Sequence, residues 1–507
     1  MRLAAAFATV ASLLLASYSW AAPAAPSLGP RPGQIKNFVT FGDSYTDVTV
    51  VSNNGTQWPV YAAGYAHLNL FPFAHSGAPC SQLLTPRPFP AVVQNELPEY
   101  FAAVGNRSIR VNPEETIYTL WIGTNDLGPN TLLTGGVVNN ATIVDVTKCT
   151  VGWINTLYKS GARNFLYQNR LPLYAVDSYP NRFWTAERNT TAWNLFINEL
   201  AVSGNEIAKL MLQTLPASLP GAHIGLFDSH SLFNDILDNP SQYLNGTAPL
   251  NITGAVHACR FKTDESTSDP GECTDAEGTD RDSFAWYDEL HPSEQSDRVV
   301  AREIANVISV SPEMRSMNLL TFIRSVLAIS PRTRAAAHGP KPGQIKNLVT
   351  FGDSYTDVAK PRNNGTQWPV YAAGYAHANL FPFAHSGAAC SDLLTPTPFP
   401  SVMQNELPEY FAATGNGSIK VKPDETIYTL WIGTNDLGPH TLLNDEVLHN
   451  ATIVDVTKCA IGWIKTLYKS GARNFLYQNI IPLQRVPLYS VDGYWNHYWN
   501  QPRNRTE

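Results

Sequence analysis

Ile35-Lys36-Asn37-Phe38-Val39-Thr40-Phe41-Gly42-Asp43-Ser44 is a short apolar run, stopped by a glycine and followed by a serine. That pattern predicts a buried strand ending in a tight turn. Working outward, Glu115-Thr116-Ile117-Tyr118-Thr119-Leu120-Trp121-Ile122 is a second such run, stopped by Gly123. Asn164-Phe165-Leu166-Tyr167-Gln168 and His223-Ile224-Gly225-Leu226-Phe227-Asp228 follow. Helical periodicity lies between and after them. It covers 143–159, with Val144, Val146, Val151, Ile154 and Leu157 on one side, and also 191–215. A last helix is expected over 293–308, with Val299, Val300, Ile304 and Val307 on one face and Pro292 at its start. Strands alternating with helices predict an α/β fold whose parallel sheet is covered on both faces. In such sheets the reactive groups sit in loops at the carboxyl ends of the strands.

The 507 residues are 44% apolar and 15% charged, which supplies buried cores for more than one domain and excludes a disordered chain. Lys and Arg number 35 against 42 Asp and Glu, without a basic tract, so no nucleic-acid partner is indicated. Six cysteines are too few for a disulfide scaffold, and no Cys-x-x-Cys pair suggests a structural metal.

Met1-Arg2 leads into an apolar stretch that ends at Ser19-Trp20-Ala21 before Ala22-Pro23, the pattern of a secretory signal over residues 1–21. The run falls short of the ~20 apolar residues a membrane span needs, so no stable membrane anchor is expected. Ten Asn-x-Ser/Thr sequons follow, at Asn54, Asn106, Asn140, Asn189, Asn245, Asn251, Asn364, Asn416, Asn450 and Asn504. Together they predict a secreted, extracellular glycoprotein, a setting that permits disulfides. Close spacing favours pairing Cys259 with Cys273, and the repeat described next favours Cys80 with Cys149, although sequence alone leaves other connectivities open.

Residues 30–169 match residues 340–479 at a constant offset of 310, with 114 of 140 positions identical. The match resumes after a five-residue insertion, where Pro172-Leu173-Tyr174 answers Pro487-Leu488-Tyr489 and Asp177 answers Asp492. A period this long marks a duplicated domain rather than a solenoid. The expected organisation is a complete domain over 30–310, a linker or remnant signal-like segment over 311–339 containing Met317, and a truncated second copy over 340–507.

Four blocks carry candidate chemistry. Ser44 follows the first strand at a Gly-bounded turn, where a hydroxyl is exposed for nucleophilic attack. Gly123-Thr124-Asn125-Asp126 ends the next long strand and brings an amide to the same rim, able to donate to a developing oxyanion. Ser76-Gly77-Ala78 offers a backbone N–H beside a residue without a Cβ. Asp288-Glu289-Leu290-His291 is the only Asp-x-x-His in the chain and lies in a loop before the last helix. A histidine there can take the serine proton while the aspartate holds its other ring nitrogen. Taken singly, each block has a structural reading as a helix cap or a turn.

In this order the four blocks resemble the GDSL esterases and lipases of the SGNH hydrolase superfamily, over residues 35–308. The resemblance implies a flavodoxin-like three-layer α/β/α sandwich with a central parallel sheet. It implies Ser44 as nucleophile, His291 as base and then acid, and Asp288 as its orienting partner. The oxyanion hole would be the N–H groups of Ser44 and Gly77 and the side chain of Asn125. The family needs neither a metal nor an organic cofactor. Tyr45 stands where the family name has leucine, and no Gly-x-Ser-x-Gly occurs, which counts against the α/β-hydrolase fold.

The second copy keeps Ser354, Gly387 and Asn435 but stops before any Asp-x-x-His, so it is expected to be inactive. The chain resembles secreted fungal acetylesterases of the carbohydrate-esterase type, which implies acetyl removal from plant cell-wall oligosaccharides. Trp58, Tyr61, Tyr179, Phe183 and Trp184 are candidates for stacking on sugars. The competing readings are a lipase acting on longer-chain esters and a non-catalytic carbohydrate-binding pseudoenzyme. A phosphate-binding module is disfavoured by the carboxylates of Asp43 and Asp47 beside the first strand.

Overall fold

The computed structural model describes residues 29–128, 130–133, 139–173, 190–260, 272–309, 326–328, 340–341, 343–361, 365–438, 441–442, 451–483 and 486. Outside them lie the signal-like residues 1–21, the segment 311–339 except 326–328, and the sequons at Asn189, Asn364, Asn450 and Asn504. Tyr174, Asp177, Tyr179, Phe183, Trp184, Pro487, Leu488, Tyr489 and Asp492 also lie outside them.

In the first copy, β1 (Asn37–Gly42) pairs in parallel with β2 (Asn69–Pro72) and with β3 (Thr116–Trp121). β3 pairs with β4 (Asn164–Gln168), and β4 with β5 (His223–Phe227), again in parallel. The strand order β2-β1-β3-β4-β5 is that of a flavodoxin-like doubly wound sheet, and it reverses between β1 and β3. That reversal opens a crevice at the carboxyl ends of these two strands. Ser44 and Asn125 follow them.

Side-chain alternation along the strands divides the core into two layers. On one face Phe38, Ile117, Trp121 and Leu166 pack with α1 (Trp58–Ala66), through its Trp58 and Ala62. On the other face Val39, Phe41, Tyr118, Leu120 and Phe165 pack with α2 (Leu97–Gly105). α3 (Thr124–Leu127) is the single turn after β3, and α4 (Ile143–Lys159) adds Trp153, Ile154 and Leu157 to the second layer. Reciprocal bonds between Thr142 and Asp145 start α4 where the sequence expects it. α5 (Thr190–Thr214) contributes to both layers, while α6 (Ser229–Asp238) and α7 (Glu294–Ser309) complete the first. The three-layer sandwich expected from sequence is the observed one.

Beyond the main sheet, β6 (Asn251–Ala255) will pair with a later strand, and β7 (His257–Arg260) forms an antiparallel hairpin with β8 (Glu272–Asp275). β9 (Phe284–Trp286) is the partner of β6 and leads into the Asp288 to His291 loop. β10 (Val326–Ala328), by contrast, belongs to the main sheet as its sixth strand, antiparallel to β5 at that edge. Disulfides join Cys80 to Cys149 and Cys259 to Cys273, the pairing favoured by the spacing and the repeat.

The second copy repeats the first half of this architecture. β11 (Asn347–Gly352), β12 (Asn379–Pro382), β13 (Thr426–Trp431) and β14 (Asn474–Gln478) form a sheet in the order β12-β11-β13-β14. α8 (Trp368–Ala376), α9 (Leu407–Gly415) and α10 (Ile453–Lys469) recur, as does a disulfide, Cys390 to Cys459. One layer is filled, by Val349, Phe351, Tyr428, Leu430 and Trp463. On the other face Tyr355, Trp368 and Trp431 are half-buried, whereas their counterparts Tyr45, Trp58 and Trp121 are fully buried.

Candidate active site

Gly42 ends β1 with φ +149, and a Cβ there would collide with the carbonyl oxygen of Trp121 on β3. Only glycine lets the chain leave the sheet so close to its neighbour. The carbonyl of Asp43 then accepts the N–H groups of Thr46 and Asp47 at 2.9 and 3.0 Å, and its carboxylate accepts that of Tyr45 at 3.1 Å. The result is a tight turn with Ser44 at its apex. Burial, partly countered by the Tyr45 N–H and by His291, pushes the Asp43 carboxyl up to about 7.

The partner loop follows β9. Asp288 accepts the N–H groups of Leu290 and His291 at 2.8 and 2.7 Å, which bends the chain back on itself. The same carboxylate lies 2.9 Å from Nδ1 of His291 through each oxygen. Nε2 of His291 is 2.9 Å from Oγ of Ser44. Ser293 accepts the N–H of Ser296 at 3.1 Å and caps α7, so the histidine loop is anchored at a helix start.

Burial opposes charge on both members of the ion pair, yet their mutual attraction and hydrogen bonds prevail. Asp288 is held below the usual carboxylate range, and His291 is raised above its ordinary value, with Asp43 and Glu289 adding to the effect.

Gly77 and Asn125 meet at the same rim. The Asn125 side chain donates to the carbonyl of Ala78 at 3.1 Å, so one amide N–H is occupied and the second has a fixed direction. The Gly77 loop is held from both ends. Asp47 accepts the N–H of Ser76 at 2.8 Å, and Asp126 accepts that of Cys80 at 2.9 Å together with the Thr85 hydroxyl. Among the described residues, the N–H groups of Ser44 and Gly77 have no acceptor within the chain. These are donors available to a developing negative charge.

Several of these contacts were invisible to sequence reading. Glu96, fully buried, accepts the N–H of Gly42 at 3.0 Å and of His75 at 3.3 Å, splicing the serine turn to the Gly77 loop. Its burial pushes its carboxyl well above the ordinary range. No local pattern announces such a bridge. Trp58 departs from the expectation that it stacks on a sugar: its ring is fully buried against Phe38 and Trp121 and belongs to the core. Tyr61 is spent on Glu294, to which its hydroxyl donates at 2.7 Å.

The described sequon asparagines lie mostly at the surface. Asn54, Asn106, Asn140, Asn245 and Asn416 are exposed, and Asn251 is half-buried. Among the described residues, the one cluster of metal-ligand atoms is His257 with Cys259 and Cys273, whose sulfurs are joined in a disulfide. No described helix is long and apolar enough to cross a membrane.

A serine hydroxyl on a histidine ring, at the switch point of a parallel sheet and beside free N–H donors, is equipped for acyl transfer. The comparisons with known proteins agree in class: this is a carboxylic ester hydrolase. The chain belongs to the GDSL-like lipase/acylhydrolase family, whose model matches residues 38–304 and 348–506. It is 28% identical over 329 residues to an acetylesterase from Hypocrea jecorina, covering 56% of this chain and 92% of that one. An acetylesterase from Thermothelomyces thermophilus is 24% identical, covering 32% of this chain and 59% of the relative. A solved member of the lipolytic G-D-S-L family from Veillonella parvula matches 54% of this chain and 97% of its own, at 14% identity and a TM-score of 0.28.

Proposed function

We propose that the first copy is a secreted serine esterase that removes acetyl groups from plant cell-wall oligosaccharides through an acyl-enzyme. The observation that carries the reading is the chain of contacts from Ser44 through His291 to Asp288, each at 2.9 Å. His291 takes the proton of the Ser44 hydroxyl through Nε2 as Oγ bonds to the ester carbonyl carbon. The oxyanion is received by the N–H groups of Ser44 and Gly77 and the free N–H of the Asn125 amide. His291 then gives its proton to the alcohol oxygen, the carbon–oxygen bond breaks, and an acyl-Ser44 remains. Water, deprotonated by His291, adds to that acyl group, and the proton returns to Ser44 as the carboxylic acid leaves. Asp288 stays ionised throughout and steadies the imidazolium.

Two relatives named acetylesterase support acetyl as the acyl group. The oligosaccharide alcohol, the extracellular setting and the glycans rest on the resemblance, the signal-like start and the sequons. The two-domain organisation, with an inactive second copy, belongs to the same proposal.

The test is acetate release by the full chain from 4-nitrophenyl acetate and from acetylated xylo-oligosaccharides, with and without Ser44→Ala. Activity on both, lost in the variant, is the expected result. A folded protein inactive on both and on longer esters would favour a binding protein instead.

A further inference from the structure

We propose that Phe89 is the wall that limits the length of the acyl group accepted at Ser44, an inference that rests on the serine-esterase reading above. The tetrahedral centre formed on Ser44 carries four substituents. One is Oγ itself. A second is the oxyanion, facing Ser44, Gly77 and Asn125. The third, the leaving alcohol oxygen, has to face Nε2 of His291 to be protonated. The acyl substituent takes the direction left over, away from His291 and along the Gly77 loop.

Phe89 lies on that loop, against Gly77 itself. Its ring lies on the Cα of Gly77: a Cβ added to that glycine would sit 2.5 Å from Cγ and 2.7 Å from both Cδ atoms. Near-equal distances place the ring face, not its edge, over the glycine. The residue is nonetheless 41% exposed, so it is not simply core. An apolar ring left partly open beside an oxyanion donor is available to a substrate.

The ring is also braced. The Arg87 guanidinium stacks on it at 5.6 Å from the centroid and donates to the Asn125 carbonyl at 3.3 Å. Gln82 accepts the Arg87 N–H at 2.8 Å and donates to the Phe89 carbonyl at 2.5 Å. One loop thus ties together the two segments that supply Gly77 and Asn125. Rigidity matters here, because a wall discriminates only if it does not yield. In the second copy Phe399 lies on Gly387 in the same way, but Thr397 replaces the arginine.

The experiment compares kcat/KM for 4-nitrophenyl acetate, butanoate and hexanoate in the full-length wild type, Phe89→Ala, Phe89→Leu and Ser44→Ala. Pocket contacts of this kind discriminate by ~10- to 200-fold per methylene. The expected result is a hexanoate-to-acetate ratio at least ~10-fold higher in Phe89→Ala, with Phe89→Leu between it and wild type. An unchanged or lower ratio in correctly folded variants, judged by circular dichroism, overturns the assignment. If Phe89→Ala does not fold, Phe89→Leu alone decides by the same ratio. Hydrolysis that survives Ser44→Ala would strike at the serine-esterase reading itself, a failure distinguishable from that of Phe89.

Discussion

The Tyr45 hydroxyl donates to the Leu290 carbonyl at 3.0 Å, across 245 residues of sequence, and its ring meets that of His291 edge-on at 5.8 Å. The neighbour of the proposed nucleophile therefore holds the loop that carries the proposed base. A leucine at this position could pack against the imidazole but could not make the bond.

Tyr45→Phe keeps the ring and removes the tether. Its loss is worth about 1 kcal/mol, or about fivefold in rate if expressed wholly in the transition state. The expected outcome is a fall in kcat of that order with KM little changed. Steady-state kinetics on a short-chain ester measures it, and a KM effect alone would mean that Tyr45 acts on binding.

A base must be neutral to take the serine proton, and His291, the proposed base, is raised above its ordinary value despite burial. kcat/KM is therefore expected to fall as pH drops through a midpoint above 6.5. Asp43 contributes negative charge to that shift and itself titrates at about 7. Asp43→Asn removes the charge, so the acid limb should move to lower pH. A pH–rate profile of both proteins checks the sign, and a shift to higher pH would contradict it.

Asn125→Ala removes one proposed oxyanion donor and the bond to Ala78. A loss of ~100- to 1,000-fold in kcat is expected. Circular dichroism and thermal melting should show a folded protein, which separates chemistry from collapse.

Ser354 has no histidine partner among the described residues, unlike Ser44. Full-length Ser354→Ala should keep wild-type activity, and Ser44→Ala should lose it. Stoichiometric labelling by a fluorophosphonate, read by peptide mass spectrometry, should place one adduct per chain, on Ser44. Equal labelling of Ser354 would show a second working site.

Much of the architecture was legible because it is local. β1, β3, β4 and β5 are short runs rich in apolar and aromatic residues, and α4 carries its own cap and one-sided face. The four chemical blocks could be read from their order. β2 could not: Asn69-Leu70-Phe71-Pro72 is brief, ends in proline and draws its ordering from β1. α1 has Pro59 near its start and Gly64 within, so its pattern is weak, although it packs against α7. At the site, Ser44, Asp288 and His291 were named from their surroundings in sequence. Glu96 and Asp47 act through backbone N–H groups that no side-chain pattern specifies, and Phe89 through contact with a glycine.

The pentapeptide Asn-Phe-Leu-Tyr-Gln occurs as β4 and again as β14, with identical residues. In the first setting every position is buried, and in the second none is, with Leu476 46% exposed. The difference tracks the neighbours: β4 is flanked on both sides by β3 and β5, whereas among the described residues β14 pairs with β13 only. The polypeptide thus carries its own matched control. Amide hydrogen–deuterium exchange should find the two stretches, indistinguishable in composition, protected to very different degrees, with Phe475 to Gln478 exchanging faster than Phe165 to Gln168. A strand's permanence would then be measured as something conferred by company rather than encoded in its letters.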